Sequence, residues 1–477
     1  MGGLKVPKDS RTKKKKRGFE LPHTFVILFI IIIAVSILTY IIPAGQFDRV
    51  TNPSTGMECV DANSYHRVEQ APVGFFEIFL SIQKGFVDAG SIIFLIFFAY
   101  FCIFTVVKTG ALHGAINKLM TKVNGREKII IPLFMIIFGL AGSTYGEMDT
   151  VYGLIPIFVG LAIALGYDAM VGLAMTGMAV AIGFASATTN PFTIGIAQSI
   201  AGLPIFSGLL FRWVVFIIFM GVGIWWTLRY SKKVKSDYNN SYVKDIDFGT
   251  LELDKGELKN ADYTIKHRII LIMLFVTIGF IVFGSLKLSW YIDEMSAMFL
   301  LSGIIISIFW GFKPNQIADN FIQACSEMVI GAMVVGLSRT ILIILQNSQI
   351  IDTIIYSLYL PLRNMPKWLA AEGMLIFQNI LNLFIPSGSG QATAVMPIMI
   401  PLADMLGINR QVAVLAYQFG DGYSNLFWPN GCIAIMASIA KVPLGKWYKF
   451  FLPLFGIMFI LESALLLIAM FIGYGPF

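Results

Sequence analysis

Two pairs of short stretches place small, polar and acidic residues inside long apolar surroundings, where they could contact a solute. Phe138–Ile157 is followed by Gly183–Pro204, and Leu383–Leu402 is followed by Phe419–Pro443. Irregular backbone at membrane depth is tolerated only where it is buried in protein or lines a water-filled cavity. Hydrophobic segments interrupted in corresponding positions of two halves indicate the substrate site of a secondary transporter.

The hydrogen-bonding residues at these breaks suit a bound carboxylate. Helix halves that begin at a break expose free N–H groups and a partial positive charge, and glycines let the backbone approach a ligand closely. Small residues also let helices pack tightly, which is the alternative role for any one of them alone. We predict that the substrate contacts Ser143, Thr144, Gly146, Glu147, Thr188, Thr189, Asn190, Ser387, Gly388, Ser389, Gly390, Gln391, Asp421, Ser424, Asn425 and Asn430. The candidate ligands of a coupling ion are Ser186 and Thr393.

Ionisable residues at membrane depth are costly and mark functional sites. Glu147 lies at the first break with Asp149 two residues on, Asp421 lies at the second break, and Arg339 lies within a span. Three interpretations stay open. The acids bind a cationic group of the substrate, they carry protons or sodium, or Arg339 forms a structural ion pair with Asp421 or Glu147. Asp88, near a span end, is expected to have a solvated structural role.

The composition is that of a polytopic α-helical membrane protein. Hydrophobic residues make up 57% of the 477 residues, charged residues only 13%, and the mean hydropathy is +0.76. The apolar runs suit helices of about 20 residues that cross a bilayer. The first run, Thr24–Ile42, follows a basic segment and lacks a small-residue cleavage site, so we predict a retained first span and a cytoplasmic N-terminus.

The sequence argues against other classes of function. The four histidines and four cysteines show no catalytic or metal-ligand spacing, so we expect neither an enzyme nor a cofactor, and no metal site is assigned with certainty. The net charge of +7 is carried largely by loops and follows membrane topology, so it does not indicate nucleic acid.

The spans and the breaks define the predicted organisation. The predicted spans are Thr24–Ile42, Ser91–Val107, Leu210–Leu228, Arg268–Gly284, Met295–Trp310, Met328–Leu345 and Phe450–Ile472. The predicted parts are, in order, a basic N-terminus (1–23), a first half (24–229), a cytoplasmic linker (230–267), a connecting span (268–284) and a second half (285–477). The first half contains a re-entrant hairpin (129–165) and a broken helix (169–203). The second half contains a hairpin (369–406) and a broken helix (409–442).

The two halves correspond in an inverted manner. Matching positions recur about 240 residues apart, and they include Gly146 with Gly390 and Asn190 with Asn430. The Lys and Arg residues of the loops orient matching segments in opposite directions, which is an inverted repeat. The predicted fold class is therefore an all-α integral membrane protein with two re-entrant hairpins and two broken crossing helices.

The chain resembles the DcuC/YfcC carriers of the ion transporter superfamily. The resemblance covers nearly the whole chain, and its most specific signal is "IPSGSGQA", Ile385–Ala392, with "STYGE" at the first tip. It implies a scaffold and a mobile transport domain that moves as an elevator, within a homodimer. Family members carry the label of four-carbon dicarboxylate carriers, while close relatives resemble arginine/ornithine exchangers.

These observations predict a secondary transporter of the bacterial cytoplasmic membrane for a small metabolite that carries a carboxylate. The favoured substrate is a basic amino acid, moved by exchange, and the alternative is exchange or ion-coupled transport of four-carbon dicarboxylates. Sodium or proton coupling stays open. The expected partners are the substrate, the lipid bilayer and a second copy of the chain.

Overall fold

The computed structural model describes residues 22–51, 58–61, 64–112, 114–115, 118, 127–144, 146, 148–249, 263–288, 290, 292–429 and 431–475. Seven helical segments of this part of the chain are long and apolar enough to cross a membrane. The protein is therefore a multi-pass membrane protein. The basic N-terminus predicted at 1–23 lies almost entirely outside the described residues.

Eighteen α-helices are numbered here in chain order. They are α1 (Thr24–Ile41), α2 (Phe75–Asp88), α3 (Gly90–Lys108), α4 (Ile130–Thr144), α5 (Ile155–Ala164), α6 (Ala169–Leu173), α7 (Ala179–Ser186), α8 (Ile196–Ile200), α9 (Leu209–Ser236), α10 (Ile265–Leu288), α11 (Ile292–Trp310), α12 (Pro314–Asn347), α13 (Ile351–Tyr359), α14 (Lys367–Leu381), α15 (Gly388–Leu406), α16 (Arg410–Ser424), α17 (Cys432–Ile439) and α18 (Leu444–Phe471). Two π-helical segments, Ala174–Met178 and Pro191–Gly195, adjoin α6 to α8.

Four short strands lie between α1 and α2. β1 (Gly45–Gln46) pairs antiparallel with β4 (His66–Arg67), and β2 (Arg49–Thr51) pairs antiparallel with β3 (Glu58–Val60). Arg49 of this segment binds Asp352 of α13 at 2.9 Å. The loop after the first span is therefore tied to the second half of the chain.

The helices form two groups. In one, α12 packs along α1, α2 and α3, and α3 packs on α11. In the other, α4 packs on α7, α14 packs on α16, and α7 packs on α16 between them. The second group is the more deeply buried, since every residue in the hydrophobic window of Ala169–Ile200 is buried. The polar breaks thus lie inside protein, as irregular backbone at membrane depth requires.

Helix boundaries differ from the predicted ones where polar residues continue a helix beyond its apolar run. The span predicted as Met328–Leu345 begins at Pro314, which occupies the first turn, while Gln316 accepts a hydrogen bond from the backbone of Lys313. The span predicted to end at Leu228 continues to Ser236, within the predicted linker. Hydropathy marks the apolar length of a helix, whereas capping residues mark its ends.

The second tip also differs from its prediction. We expected "PSGSGQ" to be irregular, but α15 begins at Gly388, and Ser387 caps it by accepting a hydrogen bond from the backbone N–H of Gly390. The irregular part is therefore 382–387, between α14 and α15. A serine ahead of the first turn is a favoured N-cap, so a helix starts despite the glycines.

Glycines allow α4 and α7 to pack backbone against backbone. A Cβ at Gly183 would overlap the carbonyl oxygen of Gly139, and one at Gly142 would overlap that of Val180. Both neighbours are main-chain atoms in helices, so neither can rotate away.

Gly183→Ala should therefore destabilise the protein by about 1–3 kcal/mol, as overpacking does. The measurement is the thermal unfolding transition of the detergent-solubilised protein. Gly221→Ala in α9 is the matched control, because no atom lies within 4 Å of its added Cβ. Equal transitions for both variants would contradict the close packing of α4 and α7.

Candidate functional site

The two tips meet at one cavity of about 460 Å³. The first tip contributes Gly146, Met148 and Asp149, and the second contributes the segment from Pro386 to Ser389. The remaining wall comes from Phe192, Thr193, Asn425, Gly431 and Cys432, and from Asp88, Ser338 and Arg339 on the opposite helices α2 and α12. Residues up to about 340 positions apart in sequence therefore share one wall.

Five of the predicted substrate-binding residues line this cavity directly. They are Gly146, Ser387, Gly388, Ser389 and Asn425. Two others, Glu147 and Asn430, lie outside the described residues.

Three predicted residues of the first half bind one another instead. Ser143 Oγ lies 3.0 Å from Thr188 Oγ1 and 3.1 Å from Ser186 Oγ, and it accepts a hydrogen bond from Thr188 N at 3.1 Å. All three side chains are buried. Their arrangement joins the end of α4 to the break after α7, so they hold the first tip in place.

Thr144 and Thr189 continue this junction. The Thr144 hydroxyl donates to Leu140 O at 2.7 Å, and the Thr189 hydroxyl donates to Thr144 O at 3.4 Å. Neither side chain is part of the cavity wall. A backbone bond from Thr189 N to Ser143 O, at 3.2 Å, completes the link.

Asn190 caps a helical segment and packs against Gly146 of the first tip. Its Oδ1 accepts hydrogen bonds from Phe192 N at 2.9 Å and Thr193 N at 3.3 Å, so it caps the helical segment that begins at Pro191. Gly146, with φ of +83°, packs directly on the Asn190 amide, and a Cβ there would overlap it. Glycine is required at 146 both by its left-handed backbone and by this contact.

Asp421 lies one layer behind the cavity wall. Its side chain is fully buried, and neither carboxylate oxygen has a hydrogen-bond partner among the described residues. A Cβ added at Gly388 would lie 3.0 Å from Asp421 Oδ2, and the Tyr417 hydroxyl donates to Gly388 O at 2.6 Å. Asn425 Nδ2 donates to Asp421 O at 2.6 Å. The Asp421 carboxyl group thus lies against Gly388, in the first turn of α15, which lines the cavity.

The other predicted residues of the second half face neighbouring helices. Gln391 Nε2 donates to Gln378 Oε1 at 2.7 Å, and Ser424 Oγ accepts from Asn382 Nδ2 at 2.6 Å. The Thr393 hydroxyl donates to Gly390 O at 3.0 Å, while Gly390 itself lies in the first turn of α15. These contacts fix α15 against α14 and α16, and none of these residues lines the cavity.

The sequence predicted only part of the arrangement of charged residues in the cavity wall. Arg339 of α12 binds Asp88 of α2, so the predicted pair of Arg339 with Asp421 is wrong in this structure. The two residues are separated by 251 positions, and no spacing pattern links them. Asp88 is therefore a cavity residue as well as a residue at the end of a helix. The alternative pair with Glu147 lies outside the described residues.

Asp149 is the acid of the first tip that the structure describes. It opens a short 3₁₀ turn, Asp149–Val151, and its carboxylate faces the cavity beside Tyr152 and Cys432. Within the described wall, Asp88 and Asp149 supply two carboxylates and Arg339 supplies one guanidinium. The wall thus has one acid more than it has bases. The residues that the structure describes contain no group of three or more His, Cys, Asp or Glu that could hold a metal ion.

Two helices direct their N-termini at the cavity. Ser387, Gly388 and Ser389 form the start of α15, and Gly431 and Cys432 form the start of α17. The N–H groups of a first helical turn lack partners within the helix and attract negative charge. The cavity therefore combines positive potential from backbone N–H groups with an excess of acidic over basic side chains in its described wall.

Comparison with known proteins identifies the chain as a membrane transporter. Residues 21–471 match the family described as "DcuC: C4-dicarboxylate anaerobic carrier", so the chain belongs to this family. The Escherichia coli (strain K12) protein named "Putative basic amino acid antiporter YfcC" is 31% identical, over 97% of this chain and 98% of that protein. An uncharacterised protein of Haemophilus influenzae (strain ATCC 51907 / DSM 11121 / KW20 / Rd) is 29% identical, over 95% of this chain and 98% of its own length.

Two solved structures align with this chain over most of its length. The YdaH transporter of Alcanivorax borkumensis has 16% identity and a TM-score of 0.42, covering 95% of this chain and all of its own. MtrF of Neisseria gonorrhoeae has 16% identity and a TM-score of 0.43, covering 94% of this chain and 96% of its own.

Proposed function

We propose that this protein exchanges basic amino acids, arginine and ornithine being the favoured pair, across the bacterial cytoplasmic membrane. The observation that carries the proposal is the charge of the cavity wall, where Asp88 and Asp149 outnumber Arg339. A basic amino acid has two cationic groups and one carboxylate, which is the complement of that wall. The name of the Escherichia coli relative, a putative basic amino acid antiporter, also supports this substrate class.

The substrate carboxylate would bind at the start of α15. Ser387 and Ser389 bring hydroxyl groups, and the glycine between them leaves the backbone N–H groups accessible. The side-chain cation would lie at Asp149, on the opposite tip. Asp88 would bind the α-ammonium group, and Arg339 would stabilise the carboxylate. Both contacts require the ion pair between Asp88 and Arg339 to open.

Alternating access would follow from an inverted repeat. The element order of α4 and α5 followed by α6–α8 recurs as α14 and α15 followed by α16 and α17. The contact of α4 with α7 matches that of α14 with α16, which supports two related halves. We propose that these helices are re-entrant hairpins and broken crossings, and that they move as an elevator past α1–α3 and α10–α12.

The homodimer is proposed from family resemblance and from the exposed face of α10. That face carries Ile272, Phe275 and Phe280, all more than half exposed. Either lipid or the same face of a second copy would cover it. The cytoplasmic N-terminus is proposed from the charge of the loops.

A dicarboxylate is the second candidate substrate. The observation that favours it is the pair of helix N-termini, α15 and α17, that face the cavity together with the Arg339 guanidinium. Two carboxylates could each bind one of these positive groups. In that case Asp149 would hold a coupling sodium ion or proton, and the description of the family would name the substrate class.

Reconstituted protein distinguishes the two substrates. Liposomes loaded with ornithine are supplied with labelled arginine, and parallel liposomes receive labelled succinate with and without a sodium gradient. Arginine uptake that requires internal ornithine is the expected result. Succinate uptake driven by the gradient, without arginine exchange, would replace the first proposal with the second.

A further inference from the structure

Glu462 is a carboxylic acid in the interior of the last membrane helix. It lies in α18, a 28-residue helix, and its side chain is fully buried. Neither of its carboxylate oxygens has a hydrogen-bond partner among the described residues. It has no part in the cavity wall. We infer that Glu462 is a proton-binding site that couples net substrate movement to a proton.

Electrostatics restrict the state of this acid. An ionised carboxylate removed from water without a partner costs several kcal/mol. Glu462 therefore carries its proton in the conformation seen here, with a neutral C(=O)OH group. Packing alone would be served by leucine or methionine, so an acid at this depth indicates a functional role.

Helices α9, α14, α16 and α17 pack on α18 around Glu462. From α16, the Tyr423 hydroxyl lies near Glu462, and it is buried without a partner among the described residues. From α14, Glu372 accepts a hydrogen bond from Ser463 at 2.7 Å, next to Glu462. From α9, Arg212 is buried, and α17 carries no charged residue.

Further charged residues of these helices lie elsewhere. On α16, Arg410 binds Asp404 at 2.7 Å, and on α18, Lys446 binds Asp245 at 2.9 Å. No salt bridge of the described residues involves Glu462 or Arg212, so no fixed cation holds the glutamate ionised. The proton can therefore leave only when the surroundings of Glu462 change.

Helix α16 lies between Glu462 and the cavity wall, because it packs on both α15 and α18. Its Asp421 approaches Gly388 of the cavity wall, whereas its Tyr423, on a different face of the helix, approaches Glu462. Movement of α16 would therefore change the surroundings of Glu462. Glu372, which is partly exposed, lies beyond it through Ser463. A proton from water on one side would form the O–H bond at a Glu462 carboxylate oxygen. The donating hydronium ion would lose one O–H bond and become water. On the other side, the O–H bond of Glu462 would break and the proton would form an O–H bond with water.

The test compares exchange with gradient-driven uptake, and it rests on the proposed arginine transport. Wild-type liposomes are expected to exchange arginine for ornithine and also to accumulate arginine under a pH gradient without internal ornithine. Glu462→Gln should retain exchange within about twofold and lose the gradient-driven uptake. Glu69→Gln, the same chemical change at an exposed glutamate of the loop before α2, is the matched control and should keep both activities.

An infrared measurement is independent of the substrate. The carbonyl stretch of a buried protonated carboxyl group should be present in wild type, should weaken in Glu462→Gln, and should decrease as the pH is raised. If Glu462→Gln fails to fold, Tyr423→Phe replaces it, because loss of the hydroxyl should shift that titration.

The outcomes separate this inference from the proposed function. Gradient-driven uptake that survives in Glu462→Gln overturns the inference and leaves exchange standing. If wild type transports no arginine, the proposed function fails, and the infrared band decides alone. A band that titrates and depends on Glu462 supports the proton site. A band that is missing or does not titrate overturns it. If Tyr423→Phe replaces Glu462→Gln, a band unchanged in Tyr423→Phe also overturns it.

Discussion

Asp149→Asn is expected to lower the rate of arginine exchange by about 10- to 100-fold. The carboxylate of Asp149 faces the cavity at the first tip, and asparagine preserves its size while removing its charge. A hydrogen bond to a charged group contributes about 1.5–3 kcal/mol, and each 1.4 kcal/mol corresponds to about a tenfold change. The measurement is the initial rate of labelled arginine uptake into ornithine-loaded liposomes.

Asp245→Asn is the control for Asp149→Asn. Asp245 also binds a cation, Lys446, at 2.9 Å, but its side chain is 60% exposed and lies away from the cavity of the two tips. Exposed ion pairs contribute little, so exchange should change by less than about twofold. Near-normal exchange in Asp149→Asn would contradict the proposal that Asp149 binds the cationic group of the substrate. Loss of arginine exchange with retained succinate uptake would strengthen that proposal.

Gly388→Val is expected to abolish transport of any substrate, with the protein still folded. A Cβ at Gly388 would lie 2.6 Å from Thr193 Cγ2 and 3.0 Å from Asp421 Oδ2. The branched side chain would separate the first turn of α15 from α16 and close the backbone N–H groups to a ligand. Uptake of both arginine and succinate should be measured, together with the thermal unfolding transition.

Two other glycine substitutions serve as comparisons for Gly388→Val. At Gly390 the nearest atom to an added Cβ is Ser387 Oγ at 3.1 Å, so Gly390→Val should reduce transport without abolishing it. At Gly279, in α10, no atom lies within 4 Å, and Gly279→Val should behave as wild type. Equal loss at Gly388 and Gly279 would contradict the role of the second tip.

The sequence predicted the positions of the breaks well because their cause is local. Helix α7 ends at Ser186, and Asn190 caps the helical segment that begins at Pro191, as the run "SATTNP" indicates. Pro191 occupies the first position of a helix, where its missing N–H is not needed. At the second break the prediction was less accurate, because α15 begins at Gly388, inside the segment expected to be the tip.

The roles of the polar residues at these breaks were less predictable. Ser143, Thr188 and Gln391 have the same chemistry as Ser387 and Ser389, yet they bind neighbouring helices rather than line the cavity. Hydroxyl and amide groups satisfy either a ligand or a backbone group equally well. Only the direction in which each helix presents the side chain separates the two roles.

What the sequence alone determined was membrane location, the order of most apolar segments, and the two places where helices break, whereas α2 and α13 were not predicted. These properties depend on hydropathy, proline, glycine and capping residues over a few turns. The tertiary structure decided that Asp88 and Arg339 face the same cavity as Asp149 and Ser387, and that Asp421 and Glu462 lie buried behind it. Such contacts join residues hundreds of positions apart, and they depend on how helices pack against one another, which periodicity within one helix does not specify.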